Sequence, residues 1–152
     1  MKAMSRALIL STVLLIAGCG GTTTDRWTEG RPKTTPACGV VNYKGRGVEG
    51  ASVSFVPTER TGTAAFALTD TEGNFSLSTF GENDGAALGQ FTVTITKKTV
   101  ETTPNAEDPN GPPLKSVEKS QIPARYARSG TSKLSATVSD GGENTFRFEL
   151  KD

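Results

Sequence analysis

Gly39-Val-Val-Asn-Tyr-Lys-Gly-Arg-Gly-Val-Glu-Gly-Ala-Ser-Val-Ser-Phe-Val-Pro57 decides the fold. Two short alternating runs flank a turn. In the run Ala37–Tyr43, Gly39, Val41 and Tyr43 share one face, and Cys38, Val40 and Asn42 share the other. Lys44-Gly-Arg-Gly47 supplies the turn, because glycine reaches positive φ without a Cβ clash. In the second run Val53 and Phe55 alternate with Ser52 and Ser54, so Val53 and Phe55 are the inward pair. Pro57 has no N–H for a ladder and ends the pairing. Period two punctuated by glycine is the pattern of antiparallel β structure.

The same pattern continues downstream. Ala64-Ala-Phe-Ala-Leu-Thr69 is a strand of ambiguous parity, and Ala65 and Ala67 are expected against the core if Phe66 and Leu68, on the other face, are covered elsewhere. Asp70-Thr-Glu-Gly-Asn74 is a hairpin turn: Asp70 accepts backbone N–H bonds, and Gly73 takes the left-handed conformation. Phe75 and Leu77 resume the core pattern. Gly81–Gly85 is a polar loop. Phe91, Val93 and Ile95 then alternate with Thr92, Thr94 and Thr96 in the cleanest strand of the chain. Residues 98–121 hold Pro104, Pro109, Pro112 and Pro113 and are expected as a long, disordered, Pro-rich loop. It is a candidate contact element. Ile122–Tyr126 follows. Leu134–Val138 and Phe146–Leu150, joined through Gly141-Gly142, read as a hairpin. The expected fold is all-β: an antiparallel β-sandwich of about seven strands, prealbumin-like or Ig-like.

Bulk composition agrees. The chain has 152 residues, 34% hydrophobic and 22% charged, enough for one domain with a modest core. Net charge is +1, with acidic and basic residues interspersed, so no basic stripe or aromatic platform marks a nucleic-acid partner. Histidine is absent, which removes the commonest general base and the commonest transition-metal ligand.

The N-terminus reads as an address. Lys2 and Arg6 precede the apolar run Ala7–Ile16, too short to cross a bilayer as a stable helix, so residues 1–18 are a signal peptide. It ends in Leu15-Ile-Ala-Gly-Cys19, which resembles the bacterial lipobox. The resemblance implies cleavage before Cys19 and a diacylglycerol thioether on its sulfur. It also implies an acyl chain such as palmitate on the new amino group, and two or more chains anchor stably where one does not. Gly20 after the cysteine implies outer-membrane sorting, on the periplasmic or surface face. Residues 19–36 then form the acylated end and a flexible tether rich in Thr, Gly and Pro, spanning about 20–25 Å. Trp27 within it reads most simply as a solvated side chain.

Further residues resemble a known family. Gly39-x-Val-x-Tyr-x-Gly45, Val48-x-Gly-Ala-x-Val-x-Phe55, Thr69-Asp-x-x-Gly-x-Phe-x-Leu77 and Gly89-x-Phe-x-Val-x-Ile95 resemble carboxypeptidase regulatory-like, transthyretin-like domains. Ile122–Tyr126, Ser132-Lys-Leu134 and Asn144-Thr-Phe-Arg-Phe-Glu-Leu150 look like the version in small lipoproteins of planctomycete-type bacteria. The resemblance covers residues 37–150 and implies a prealbumin-like sandwich in the cell envelope. It implies no catalytic activity. Hydroxyisourate hydrolases share the broad fold and depend on His, which this chain lacks.

Candidate chemistry is sparse. Asp70, Glu72 and Asn74 could present oxygens to Ca²⁺, but the rest of an EF-hand loop is missing and a polar turn explains them. Glu82, Asn83 and Asp84 form a second acidic loop, and a weak cation site becomes possible if the two loops meet. Cys38 is the one thiol besides Cys19. Burial statistics favour a small packed residue, with an intermolecular bridge as the other reading. A Lys44–Asn144 isopeptide bond is disfavoured by the turn position of Lys44. No G-x-S-x-G elbow supports a nucleophile. The expectation is no catalytic, metal or cofactor residues and no enzyme. The expected function is a lipid-anchored envelope protein with a binding or structural module, for an envelope protein or polysaccharide partner. The alternative is a carbohydrate- or cation-binding module.

Overall fold

The computed structural model describes residues 28–108 and 110–152. Residues 1–18, Cys19 and Trp27 lie outside the described residues. Thr28–Arg31 is a turn in which Arg31 N–H donates to the Thr28 carbonyl at 3.3 Å. Pro32–Asp152 is a separate compact unit.

That unit is mostly β. Its segments are β1 (Thr34–Thr35), β2 (Cys38–Tyr43), β3 (Arg46–Gly47), β4 (Ser52–Pro57), β5 (Ala65–Leu68), β6 (Asn74–Ser76), β7 (Ala86–Ala87), β8 (Gly89–Thr96), β9 (Lys98–Thr103), β10 (Lys115–Ser120), β11 (Leu134–Val138) and β12 (Thr145–Leu150). One sheet has the order β11-β8-β4-β5, antiparallel throughout. In a second sheet β2 is central: β12 pairs parallel on one side, and β3 and β6 pair antiparallel with successive parts of the other. Two two-stranded pairs complete it, β1 with β7 and β9 with β10.

Residues of both larger sheets contribute to one core. Val53 and Phe55 of β4, Val93 and Ile95 of β8, and Val41 of β2 are fully buried. Phe55 is the hub. Its ring centroid lies 5.7 Å from Phe91 in its own sheet and 5.3 Å and 6.2 Å from Phe146 and Phe148 of the other, tilted or edge-on as ring quadrupoles prefer. The alternation read from the sequence therefore selects the inward set correctly. Ala65 is buried and Ala67 packs against the core, whereas Phe66 and Leu68 are 54% and 70% exposed.

Four expectations are corrected. Residues 98–121 are no loop: β9 and β10 form a hairpin whose base is closed by Gln121 N–H donating to the Lys97 carbonyl at 2.9 Å. The prolines fall between residues 104 and 113, beyond the paired strands, whose Thr and Val suit a pleated backbone. Ion pairs Lys98–Glu118 (2.7 Å) and Lys119–Glu101 (3.5 Å) tie the strands diagonally.

Second, β11 and β12 are not a hairpin; β11 pairs with β8 and β12 with β2. Asn144 makes the corner between sheets. Its Oδ1 accepts from Ser139 N–H at 3.0 Å, and its Nδ2 donates to the carbonyls of Ser139 (3.1 Å) and Pro36 (3.4 Å). This buried amide replaces the ladder that a hairpin would have formed.

Third, the tether expected to reach Pro36 stops short of it, because Thr34 and Thr35 pair with Ala87 and Ala86. Fourth, the strand count differs from about seven: the described residues hold twelve segments, three of them two residues long. Ile122–Tyr126 is not among them; Ala124–Ala127 and Ser129–Ser132 are single helical turns. Tyr126 anchors the first, with Lys151 N–H donating to its Oη at 3.0 Å.

Candidate functional site

A cleft of about 790 Å³ opens between β5 and β6 and is lined by residues of both larger sheets. Its origin is local. Asp70 N–H donates to the Asn74 carbonyl at 2.8 Å, and Phe66 and Ser78 exchange backbone hydrogen bonds at 2.9 and 2.8 Å. These two closures set a hairpin register, yet no ladder joins β5 to β6 between them. β5 is drawn to β4 and β6 to β2, so the strands part and leave the cleft.

Val40, Leu68, Phe75 and Phe146 give it an apolar lining; Asn74, Asn83 and Arg147 add polar groups. Gly39 is obligatory there. A Cβ at this position would stand 2.3 Å from the Phe146 carbonyl oxygen and 2.7 Å from the Phe75 ring. Glycine thus lets β12 and the Phe75 ring close on β2.

Cys38 also lines the cleft. It is exposed, not packed, with Sγ 3.9 Å from Thr145 Oγ1. It shares with Val40 the face of β2 opposite the buried Val41.

Both acidic loops reach this cleft, the first through Asp70 and Asn74 and the second through Asn83. The carboxylates of Asp70 and Asp84 already accept hydrogen bonds within their own loops. Asp70 Oδ1 accepts from the N–H groups of Glu72 (2.9 Å) and Asn74 (2.8 Å), and Oδ2 accepts from Asn74 Nδ2 (3.1 Å). The Asn74 side-chain amide, with these backbone amides, holds the Asp70 carboxyl below its ordinary value. Asp84 accepts from Thr79 N–H (2.7 Å) through Oδ1 and from Phe80 and Gly81 N–H (3.0 Å each) through Oδ2. Desolvation pushes that carboxyl up, and the backbone amides outweigh it, so its pKa is lowered. The oxygens offered to a cation therefore serve turns. Among the described residues no three His, Cys, Asp or Glu converge to hold a metal ion.

Lys44 and Asn144 are separated. Lys44 follows the Tyr43 end of β2, where Nζ is 3.2 Å from Asp152 Oδ2. The Asn144 carbonyl accepts from Cys38 N–H at the opposite end. Six strand residues place them on the order of 17–20 Å apart, which excludes the isopeptide bond.

Sequence reasoning missed Thr145, Phe146 and Arg147 as neighbours of Cys38 and Val40. Only the parallel pairing of β12 with β2 brings them together. The sequence signal for the hairpin was the Asp70-Thr-Glu-Gly-Asn74 turn, which does not reveal which partner each strand takes.

Arg147 Nη1 is 3.7 Å from Glu149 Oε1, an exposed pair that leaves the guanidinium free to turn toward the cleft. The arrangement can hold a small polar ligand through carboxamides and a guanidinium, against an apolar floor.

No family model matches the chain. No curated protein matches it. A crystal structure of a 9R-lipoxygenase from Cyanothece PCC8801 is similar over 79% of this chain, at 11% identity and a TM-score of 0.35. The match spans 17% of the lipoxygenase's own length. The matched structure is an enzyme, and the expectation that this chain is not one is not carried forward. At this TM-score the likeness carries no argument about activity.

Proposed function

We propose that the chain is a lipid-anchored protein of the bacterial cell envelope, belonging with the carboxypeptidase regulatory-like lipoproteins. Its two facing sheets form a prealbumin-like β-sandwich that serves as a binding module. The single observation that carries this reading is Leu15-Ile-Ala-Gly-Cys19 after a short apolar run with Lys2 and Arg6 before it. Cys19 takes the diacylglycerol and a further acyl chain, and the remaining tether presents the module to an envelope protein or polysaccharide on the outer membrane. Intact mass of protein from native membranes tests it. The expected mass starts at Cys19 and includes acyl chains, and Cys19→Ala loses them. A mature form without lipid, released in soluble form, overturns the anchor.

A second reading concerns the ligand. Carbohydrate in the cleft is favoured by one observation: Asn74, Asn83 and Arg147 line the same cleft as Phe75 and Phe146. Amide and guanidinium donors beside apolar faces suit a sugar, whose polar edges and C–H faces alternate.

A further inference from the structure

Leu68 of β5 and Ser76 of β6 meet across the cleft with their backbone groups unbonded. Strand parity sets the direction of those groups. Thr69 N–H donates to the Ala51 carbonyl on the β4 side at 3.0 Å, so Leu68, one residue earlier, aims its N–H and C=O toward β6. Leu77 N–H donates to the Ala37 carbonyl on the β2 side at 2.9 Å, so Ser76 aims its own pair toward β5. The closures at Asp70–Asn74 and Phe66–Ser78 make Leu68 and Ser76 the intervening pair of the hairpin register. Among the described residues, neither a ladder nor a side chain takes up these four groups.

We propose that these two donors and two acceptors bind the hydroxyls of a neutral oligosaccharide. The proposal rests on the carbohydrate reading above and names the sugar class and the atoms that recognise it. Both residues line the cleft. A carboxylate or phosphate only accepts and leaves both carbonyls unpaired; an ammonium only donates and leaves both N–H groups unpaired. A hydroxyl donates and accepts, and it bonds as water does, so it replaces solvent here without loss. A peptide added to a sheet edge uses a row of alternate open residues, and the two closures leave one on each strand. Charge agrees, because the charged residues lining the cleft are Asp70 and Arg147, one of each sign. Leu68 and Phe146 supply apolar surface for the C–H faces of a sugar.

The opening is short: Phe66 and Asp70 lie four residues apart, about 13 Å of strand. Few bonds form there, and each is worth a few-fold in affinity, so binding is weak. The backbone origin of the site gives it a distinctive test. Neither the Leu68 nor the Ser76 N–H belongs to a ladder, so proline at either position deletes one donor without breaking a bond to β4 or β2.

Amide NMR of the full chain in a phosphocholine detergent, which carries no sugar, tests the proposal. The chain is titrated to about 20 mM with cellobiose, a neutral disaccharide, and separately with digalacturonic acid, an acidic one. Cellobiose is expected to shift the Leu68 and Ser76 amides, with a Kd of about 1–10 mM. Leu68→Pro and Ser76→Pro should each weaken binding about threefold or more, and Leu68→Ala, which keeps the N–H, should weaken it less. Circular dichroism separates lost binding from lost fold, and where a proline variant fails to fold the wild-type shifts decide. Cellobiose binding that leaves both amides unmoved, or that both folded proline variants keep at full strength, overturns the proposal and leaves the carbohydrate reading standing. Digalacturonic acid binding in place of cellobiose does the same and gives recognition to Arg147. Binding of neither sugar overturns both.

Discussion

Gly39 shows how one residue without a side chain positions several that have them. It sits on β2 between the Phe146 carbonyl and the Phe75 ring, and neither can yield: one is backbone in a ladder, the other is held in the core. Gly39→Ala is expected to destabilise the fold by about 2–4 kcal/mol through overpacking. Gly130→Ala, with nothing within 4 Å of its Cβ, should change stability by less than about 0.5 kcal/mol. Urea midpoints check both, and equal midpoints for the two variants would remove the role given to Gly39. Asp84 carries a pH dependence. Its folded pKa lies below its unfolded value of 3.8, so its contribution is complete above that value and lost as pH falls through the folded one. In Asp84→Asn the stability deficit relative to wild type should be largest near neutral pH and shrink toward pH about 3. A deficit independent of pH would mean that the carboxylate charge plays no part. Turn chemistry of this kind was legible from Asp70-Thr-Glu-Gly-Asn74 alone, because an Asp that accepts amides two and four residues on is a local event.

Strands were legible where alternation was sharp. Phe91, Val93 and Ile95 alternate with threonine, and burial follows that alternation residue by residue. The β9–β10 hairpin was not legible, because all but one of its strand residues are exposed and no inward set marks a period. Its prolines crowd the tip and mask the Thr- and Val-rich strands on either side. An element with so little buried surface contributes little to global stability. Replacing residues 98–120 by a two-residue Asn-Gly turn, across the Lys97–Gln121 backbone pair, should shift the unfolding free energy by less than about 1 kcal/mol. Thermal unfolding followed by circular dichroism checks it. A replaced chain that no longer unfolds cooperatively would show the hairpin to be integral to the core.

At the scale of the molecule, the sequence made the fold class plain and hid the connectivity. Period-two patterning says that a strand has an inside; it does not say which sheet it joins. β11 and β12 look like a hairpin, but the second strand pairs with β2 over six residues, and the Asn144 amide holds the corner between them with three hydrogen bonds. The cleft was hidden for the same reason. Arg147 and Phe146 come to it from β12 and Leu68 from β5, elements that chain order keeps far apart. Parallel pairing of β12 with β2 has a consequence for how the molecule is made. Thr145 lies opposite Cys38 and Leu150 opposite Tyr43. When β2 leaves the ribosome, its flanking strand has yet to be translated, about a hundred codons downstream. At about 5–20 residues per second, this side of β2 waits several seconds for its partner, while β3 and β6 are already at hand for the other side.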